Sequence, residues 1–492
     1  MQTGEEYQSE RLDHLGIVAG VCQEIGLVEW LDKQAGERRN LVSIGTATMA
    51  MVLNGLGFSN RQLYLVPQFF ANKPVEHLLG EGISVDMLND DCLGRTLDWI
   101  AEHDPTMLFA GIAQQARERF GLSIKQVHAD TTSFSVSGAY EPDPEASEPA
   151  CIAITYGYSR DHREDLKQWM FGLVTTQDGD VPLFMQPLDG NSSDKVSISA
   201  IVRQVMEQLR ASQSTEQEEE PMVVFDSGGY SQANMKTYNE AKIRWCSRVP
   251  ETSTEAKAAL DQQPEEWQEF SDKSGHYFKL QLKLPQGEER WVVVRTKKNM
   301  EASQKTLEKK ASKDQSGWEK RLGRLGREVF ACQQDAQTAW EKAVSKLPVW
   351  LRAEMTLVSQ PHYGKAGRHT ADTEPVCTDW KIMPQVQIDQ QALERAIDRK
   401  ARFLIATNEL STDAVSDEAL LEVYKGQGSA ERGFRFLKDP LFLASSVFVK
   451  KPSRLIALSF IMVLCLLVYR LAEQRLRQRL QQSQQTIPKE TQ

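Results

Sequence analysis

The first 120 residues of the chain place their apolar side chains at helical intervals. Steps of three and four separate Leu15, Val18, Cys22 and Ile25. Comparable apolar periodicity runs through residues 44–56, 93–100 and 107–120. Strand-like alternation is not seen in this part of the sequence, so the pattern predicts an all-helical region.

From residue 122 onward the chain changes to short apolar runs rich in β-branched and aromatic residues, which are typical of strands. The predicted strands cover residues 124–136, 152–158, 170–175, 183–186 and 222–225. A helix is predicted over residues 196–209, and polar segments at 141–149 and 214–220 separate these elements. This order indicates a β-meander, a helix and a further strand.

Residues 251–395 form a compositionally different stretch. Strands at 278–284 and 291–295 precede a long polar helix, predicted over about residues 301–344. Residues 295–327 contain eleven Lys/Arg and four Asp/Glu, a local charge of +7 that is typical of a solvated helix face. Strand character returns at 403–406, and another helix is predicted to begin near Ser416.

One apolar segment near the C-terminus admits two interpretations. Residues 455–469 are fifteen uncharged residues between Arg454 and Arg470, followed by a predicted Arg-rich turn at 475–480. As a helix the segment would span roughly 22 Å at about 1.5 Å per residue. A membrane core needs about 30 Å. We therefore expect a buried core helix, with a membrane span as the alternative.

Composition limits the classes of protein that fit. The chain has 492 residues, enough for roughly three domains. The formal net charge of −10 excludes a global polycation but not a local basic surface. The seven cysteines are scattered without a CxxC pair, which disfavours zinc ribbons and suits a reducing cytoplasm. The N-terminal residues lack the basic and apolar regions expected of a secretory signal.

Three acidic residues stand out by their context. Asp130 lies within a predicted strand, Asp226 directly follows the apolar run 222–225, and Glu431 lies in a predicted helix. Carboxylates at the ends of core strands are held rigidly and can converge on Mg²⁺, which prefers oxygen ligands. Because the chain has 68 acidic residues, these positions alone do not separate a metal site from ordinary turn and cap residues.

The spacing around Glu431 is more specific. A continuous helix would bring the polar residues Tyr424, Gln427, Glu431 and Lys438 within roughly 60° of one another. Arg435 falls on the same face. Since this face has no aliphatic residue, it is either a solvated surface or part of a functional site.

Glycines are frequent in the same helix, at Gly426, Gly428 and Gly433. Each weakens a helix by about 1 kcal/mol relative to Ala. Either other contacts hold the helix in place, or a neighbouring backbone approaches it closely.

The pattern Tyr-x2-Gln-x3-Glu-x6-Lys resembles the Tyr-Arg-Glu-Lys signature of bacterial insertion-sequence transposases of the DDE class. The resemblance extends over most of the chain. Segments 128–136 and 224–231 are similar to those that carry the first and second Asp of these enzymes, and 154–169 and 188–195 to the strands between them. The chain departs from the family pattern at Gln427, where the family has Arg.

The resemblance implies a transposase that cleaves DNA at the ends of an insertion sequence. The freed 3′-hydroxyl then attacks another strand and joins the DNA end to it. The implied catalytic and metal-binding residues are Asp130, Asp226 and Glu431, with Mg²⁺ as the cofactor and Mn²⁺ as a substitute. The residues expected to bind transposon-end DNA are Tyr424, Gln427, Arg435 and Lys438.

The implied fold class is α/β, an RNase H-like catalytic core interrupted by a large α+β insertion and preceded by an all-helical N-terminal domain. The 204 residues between Asp226 and Glu431 exceed what a bare core needs and fit such an insertion. The N-terminal domain is either a plain bundle or a module that binds DNA ends. The expected divisions are 1–120 for this domain, 121–250 and 396–480 for the core, 251–395 for the insertion, and 481–492 for a disordered tail.

The expected partners follow from charge and from the resemblance. Residues 424–480 contain eleven Lys/Arg and three Asp/Glu, a local charge of +8 that predicts salt-dependent DNA binding beside Glu431. The partners would be transposon-end and target DNA, with a homodimer as the active complex. No P-loop frame is present, so ATP use is not expected. The expected location is the cytoplasm, with nucleoid association when DNA is bound.

Two other functions remain open at the level of sequence: a catalytically inactive, domesticated DNA-binding protein, and a membrane-anchored protein that uses residues 455–469. In the insertion, Trp267, Trp291 and Trp318 are interpreted as packing residues, with stacking on a flipped base as the alternative.

Overall fold

A computed structural model describes residues 9–37, 40–58, 65–138, 140, 152–160, 162–211, 220–363, 375–439 and 451–487. The predicted polar segment at 141–149, most of the one at 214–220 and residues 488–492 of the predicted tail lie outside these ranges.

The helices and strands of the described residues follow the alternation of helical and strand-like patterns along the chain. The α-helices are α1 Leu15–Ile25, α2 Leu27–Ala35, α3 Ile44–Leu56, α4 Val66–Phe70, α5 Val75–Leu79, α6 Asp90–Glu102, α7 Pro105–Phe120, α8 Asp194–Ala211, α9 Gln232–Glu240, α10 Thr254–Asp261, α11 Lys297–Leu325, α12 Gln333–Val344, α13 Gln390–Ala401, α14 Asp417–Lys425, α15 Gly428–Leu437 and α16 Pro452–Ser483. The strands are β1 Gln126–Val136, β2 Lys167–Thr176, β3 Pro182–Leu188, β4 Met222–Phe225, β5 Trp245–Arg248, β6 Gln268–Glu269, β7 Gly275–Leu284, β8 Gly287–Thr296, β9 Leu351–His362, β10 Cys377–Ile388 and β11 Arg402–Thr407.

The N-terminal part of the described chain is helical, as its apolar periodicity predicts. Helices α1–α7 and a short 3₁₀ helix at Val85–Leu88 fill it without a strand. Every residue of α3 is buried. A Cβ at Gly45 would lie 2.4 Å from the carbonyl oxygen of Val28, so glycine is needed where α2 and α3 meet.

The apolar C-terminal segment forms part of α16, which is 32 residues long. The predicted turn at 475–480 is wrong, because the helix continues through the arginines to Ser483. The α1, α3, α6 and α7 helices pack against α16 in one hydrophobic core. Among the described helices only α16 is long and apolar enough to cross a membrane, but 83% of its most apolar window is buried inside the protein. The predicted burial of residues 455–469 is therefore confirmed for 455–468, whereas Tyr469 at the end of the segment is 37% exposed.

The core sheet begins with a meander. β1 pairs antiparallel with β2, and β2 pairs antiparallel with β3. On its other side β1 pairs parallel with β4, and β4 pairs parallel with β5. The strand predicted at 152–158 is reduced to an isolated bridge between Thr155 and Gln168. The result is a large sheet within a mixed α/β protein, as the sequence indicates.

The chain divides into two compact units. The first contains residues 1–248, 282–290 and 406–492, and the second contains 249–281 and 291–405. In the second unit the helix predicted over 301–344 is two helices, because α11 ends before Gly326 and α12 begins at Gln333. The β9–β10 hairpin, which we did not predict, completes its own small sheet.

Candidate active site

Two of the three predicted acids are brought level by the sheet. In the parallel pairing of β1 with β4, Ala129 lies opposite Phe225. Asp130 and Asp226 each follow directly, so they occupy neighbouring positions on strands that are about 4.8 Å apart. Asp130 lies inside β1, whereas Asp226 is the first residue after β4 and is exposed. Two acidic residues with 95 residues between them in the sequence therefore occupy adjacent positions across the parallel pair.

The turn after Asp226 contains two glycines, but it is not a left-handed turn. Neither Gly228 nor Gly229 adopts a positive φ. Instead, the Gly229 amide donates a hydrogen bond to the Asp226 carbonyl oxygen at 2.9 Å. A Cβ on Gly229 would lie 2.8 Å from the Phe225 ring, so the glycine permits close packing rather than a left-handed turn.

Arg160 lies beside Asp130 and was not found by sequence reasoning. Its Nη1 is 3.6 Å from Asp130 Oδ1, and Nη1 also donates to the Thr131 carbonyl oxygen. Its Nη2 donates to Thr131 Oγ1 at 3.2 Å. These contacts fix the guanidinium on β1 while about a third of the side chain, 34%, remains exposed. Arg160 thus provides a held positive charge next to the carboxylate.

Tyr424 contacts Asp226 directly. Its hydroxyl donates to Asp226 Oδ1 at 3.1 Å. Burial raises the pKa of the Tyr424 phenol well above its ordinary value, and the nearby Asp226 charge raises it further. The Tyr424 hydroxyl therefore stays protonated, and remains a hydrogen-bond donor to the carboxylate, throughout the physiological pH range.

The predicted single helical face around Glu431 is not formed. α14 ends at Lys425, and α15 begins at Gly428 after a turn at Gly426 and Gln427. Gln427 is only 7% exposed, and its amide donates to the Ala129 carbonyl oxygen of β1 at 3.2 Å. The Gln427 side chain therefore faces the sheet, where it ties the α14–α15 junction to β1, and does not lie on an exposed face as we expected.

The glycines of this region let the backbone of α15 and of the turn before it pack closely against the sheet. A Cβ on Gly426 would lie 2.6 Å from the buried His128 ring of β1. A Cβ on Gly433 would lie 3.0 Å from Leu173, which pairs with Asp130 across β1 and β2. Ser429 on α15 also shares a 2.5 Å hydrogen bond with Thr175 of β2. The α15 helix is thus held closely against β1 and β2.

Glu431, Arg435 and Lys438 lie on or next to this helix. Glu431 and Arg435 are exposed, and the Lys438 ammonium lies 5.5 Å from the centre of the Phe134 ring. Within the described residues no three His, Cys, Asp or Glu side chains form a group that could hold a metal ion. The structure therefore places Asp130 and Asp226 side by side, but does not gather Glu431 with them into a compact set.

A second contact that the sequence did not reveal fixes the helix of Glu431. Arg432 forms a two-pronged ion pair with Asp180, at 2.6 and 2.7 Å. Asp180 lies in the β2–β3 turn, is 8% exposed and has a φ of 54°. Arg470 of α16 lies 3.8 Å from the same carboxylate. One buried carboxylate therefore connects the hairpin, α15 and α16.

The basic C-terminal region is largely neutralised within the protein. Of the ten Lys/Arg of this region that the structure describes, six form ion pairs, namely Lys425–Glu422, Arg432–Asp180, Arg454–Asp98, Arg470–Glu473, Arg475–Glu24 and Arg477–Glu473. The local charge of +8 overstates the positive charge available to a ligand, since three of these partners come from distant parts of the sequence.

The insertion tryptophans are engaged in packing. Trp291 is 1% exposed, and Trp267 lies between the guanidinium groups of Arg295 and Arg402, at 4.4 and 5.0 Å from their central carbons. Trp318 stacks with Arg321 at 4.5 Å. These contacts fit the packing interpretation.

Comparison with known families bears on this site. The profile of the family described as "Transposase DDE domain" matches residues 155–468, more than half of the chain, and includes Asp226 and Glu431. This chain belongs to the DDE transposase family. A second family, described as "Domain of unknown function (DUF4277)", matches residues 7–114 of the transposase, within its helical N-terminal part.

Among solved structures, the transposase is similar to a piggyBac transposase in a synaptic complex with hairpin DNA. The TM-score is 0.42 at 8% sequence identity, covering 99% of this chain and 79% of that chain. No curated protein matches. The transposase is thus a DNA transposase by family, as its sequence pattern implies, and enzymes of this family use divalent metal ions.

Proposed function

We propose that the transposase works through an RNase H-like core in which Asp130, Asp226 and Glu431 hold Mg²⁺, with Mn²⁺ as a substitute. The observation that carries this proposal is the level placement of Asp130 and Asp226 on the parallel strands β1 and β4. The β1–β2–β3 meander followed by α8 and β4 supports an RNase H-like core. Glu431 would complete the set from α15, which packs on β1 and β2.

The donor set fits a hard divalent cation. Carboxylate oxygens are the ligands that Mg²⁺ prefers, and the hydrogen bond from Tyr424 to Asp226 Oδ1 holds one of these carboxyl groups in a fixed orientation. When bound, divalent ions in such a site activate a water nucleophile and stabilise the leaving oxygen of a phosphodiester.

The protein's own residues prepare this site. The Tyr424 hydroxyl orients Asp226, and Arg160 places a positive charge beside Asp130. Gln427 fixes the α14–α15 junction on β1 rather than binding DNA. Arg435 and Lys438 would contact phosphates of the transposon end, leaving the freed 3′-hydroxyl to attack the opposite strand or target DNA.

The wider setting follows the same proposal. The transposase would act as a homodimer on transposon ends and target DNA, without ATP, in the cytoplasm and at the nucleoid. The burial of α16 in the first unit favours this location over a membrane anchor.

The triad is tested by Asp130→Asn, Asp226→Asn and Glu431→Gln. Each change removes a ligand charge with little change in volume, so each should lower Mg²⁺-dependent strand cleavage by at least about 10³-fold, roughly 4 kcal/mol. DNA affinity measured in the absence of metal should change little.

Glu422→Gln is the matched control, because Glu422 is an exposed acid of α14 that pairs only with Lys425 among the described residues. Its cleavage rate should equal that of the wild type. Full cleavage by any one triad variant would remove that residue from the proposed site.

A further inference from the structure

The longest helix of the second unit carries a row of cations on one side. At about 100° per residue, six residues of α11 fall within roughly 100° of arc. They are Lys298, Lys305, Lys309, Lys313, Lys320 and Arg324, and we call them the α11 ridge. The buried residues of α11 are Ser303, Leu307, Ala311 and Leu322. These lie on the opposite side, so the ridge points away from the packed face. Lys298 and Arg324 lie in the first and last turns of the helix, and the other four ridge residues lie between them.

The ridge cations differ from those near the active site in their pairing. In the part of the chain that the structure describes, none of the six forms an ion pair, and all six are exposed. By contrast, most C-terminal Lys/Arg are neutralised by acidic partners. The ridge therefore keeps the positive charge of all six residues available to a ligand.

The acidic residues of α11 do not cancel the ridge. Glu308 accepts a hydrogen bond from Gln304 at 2.8 Å, and Glu319 accepts one from Gln315 at 3.1 Å. These glutamates lie on a flank of the helix, roughly 40° or more from the nearest ridge lysine. In the described chain none of the four acidic residues of α11 forms an ion pair with a ridge cation, and the helix has nine Lys/Arg against these four Asp/Glu.

The dimensions of the ridge fit a long, rigid polyanion. The 26 residue-to-residue steps from Lys298 to Arg324 rise about 39 Å at about 1.5 Å each. This length is close to one turn of duplex DNA, about 34–36 Å. Duplex DNA carries one phosphate charge per about 1.7 Å of its axis, so a row of cations of this length lies beside a high density of negative charge.

We propose that the α11 ridge is a second DNA-binding surface, which binds the duplex backbone without regard to sequence. The inference rests on the proposed function, since it takes duplex DNA as the substrate. A protein with a net charge of −10 gains little long-range attraction for DNA from its total charge. A local cationic ridge supplies that attraction and increases the rate of encounter.

The test uses the full-length protein and a mixed-sequence duplex of about 30 base pairs that lacks a transposon end. The ridge variant carries Lys305→Gln, Lys309→Gln, Lys313→Gln and Lys320→Gln, because glutamine keeps helix propensity and removes charge. Binding is measured by fluorescence anisotropy over a series of salt concentrations. Each lost phosphate contact lowers the slope of log K against log salt by about 0.9, so we expect the loss of four contacts to lower it by about 3.6 units.

Two controls separate the ridge from general charge loss and from misfolding. A matched variant changes four exposed lysines of the same unit outside α11, at Lys257, Lys273, Lys279 and Lys346, and should lose less than about one unit of slope. A second variant replaces the four ridge lysines with arginine and should keep the wild-type slope.

A fall of more than about two units that is confined to the glutamine ridge variant supports the proposal. A smaller fall, an equal fall in the control, or a loss in the arginine variant would overturn it. If the ridge binds RNA or an acidic protein instead of DNA, the salt dependence of DNA binding would not change, and the proposal would be overturned.

Cleavage of saturating transposon-end DNA distinguishes failure of this inference from failure of the proposed active site. The ridge variant should cleave at the wild-type rate once DNA is saturating. Asp226→Asn should lose cleavage while keeping the salt slope.

Discussion

At the scale of single residues, the contact between Tyr424 and Asp226 gives the sharpest prediction. Tyr424→Phe keeps the ring but removes the 3.1 Å hydrogen bond to the carboxylate. Because Asp226 is exposed, we expect the loss to be worth only about 1 kcal/mol, a roughly fivefold slower cleavage with a weaker apparent affinity for Mg²⁺. Single-turnover cleavage over a range of Mg²⁺ concentrations measures both effects.

Tyr469→Phe is the control for that experiment, since Tyr469 is a partly exposed tyrosine whose ring packs against Phe436 of α15. It should leave cleavage unchanged. If Tyr424→Phe weakened DNA binding at high salt but left the Mg²⁺ dependence unaltered, Tyr424 would be a DNA contact, as the sequence resemblance implied.

Sequence reasoning at this scale found residues that have a local pattern and missed those that act at long range. Asp226 was recognisable because an apolar strand ends directly before it, and Tyr424 because its spacing from Glu431 matches a family pattern. Arg160 and Asp180 carry no such pattern, because their roles arise from partners 30 and 252 residues away. Gln427 was misplaced because one continuous helix was assumed.

At the scale of elements, the orientation of α15 depends on one ion pair. Asp180→Asn should weaken the two-pronged contact with Arg432, while asparagine tolerates the positive φ of this turn. With the Arg432 side chain 51% exposed, we expect unfolding free energy to fall by only about 1 kcal/mol. Cleavage should fall as well, since α15 carries Glu431.

Asp178→Asn provides the comparison in the same hairpin turn. Asp178 is exposed and accepts a hydrogen bond from Gln474, which an asparagine oxygen can also accept. Its unfolding free energy should stay within about 0.5 kcal/mol of the wild type. Equal losses in the two variants, measured by urea denaturation, would show that the turn matters rather than the link to α15.

Elements with one clear hydrophobic periodicity were predicted well. Elements that are largely exposed, or that end because of tertiary contacts, were not. β1, β4 and α8 follow apolar patterns that burial enforces. The β9 strand has a usable alternation at Leu351, Ala353, Met355 and Leu357 that we overlooked because polar residues surround it. The breaks in the helices at Gly326 and Gly426 depend on tertiary contacts, which periodicity does not record.

At the scale of the whole molecule, α16 organises the first unit. The length argument from sequence underestimated the helix, because 32 residues span about 48 Å, more than a membrane core requires. Burial decides the matter instead, since α1, α3, α6 and α7 surround the apolar half of α16. The N-terminal helices, predicted as a domain of their own, share this hydrophobic core with α15 and the sheet.

The burial of α16 predicts a steep difference between two identical substitutions on the same helix. Leu464 is 0% exposed and Leu476 is 49% exposed. Leu464→Ala should lower the unfolding free energy by about 2–5 kcal/mol through lost burial and a residual cavity. Leu476→Ala should change it by about 0.5 kcal/mol or less. Thermal denaturation of the purified, detergent-free protein measures both.

A helix facing lipid would not need protein packing around Leu464, so the two substitutions would then have equally small effects. That result, together with most of the protein in a carbonate-resistant membrane fraction, would overturn the assignment of α16 as a core helix.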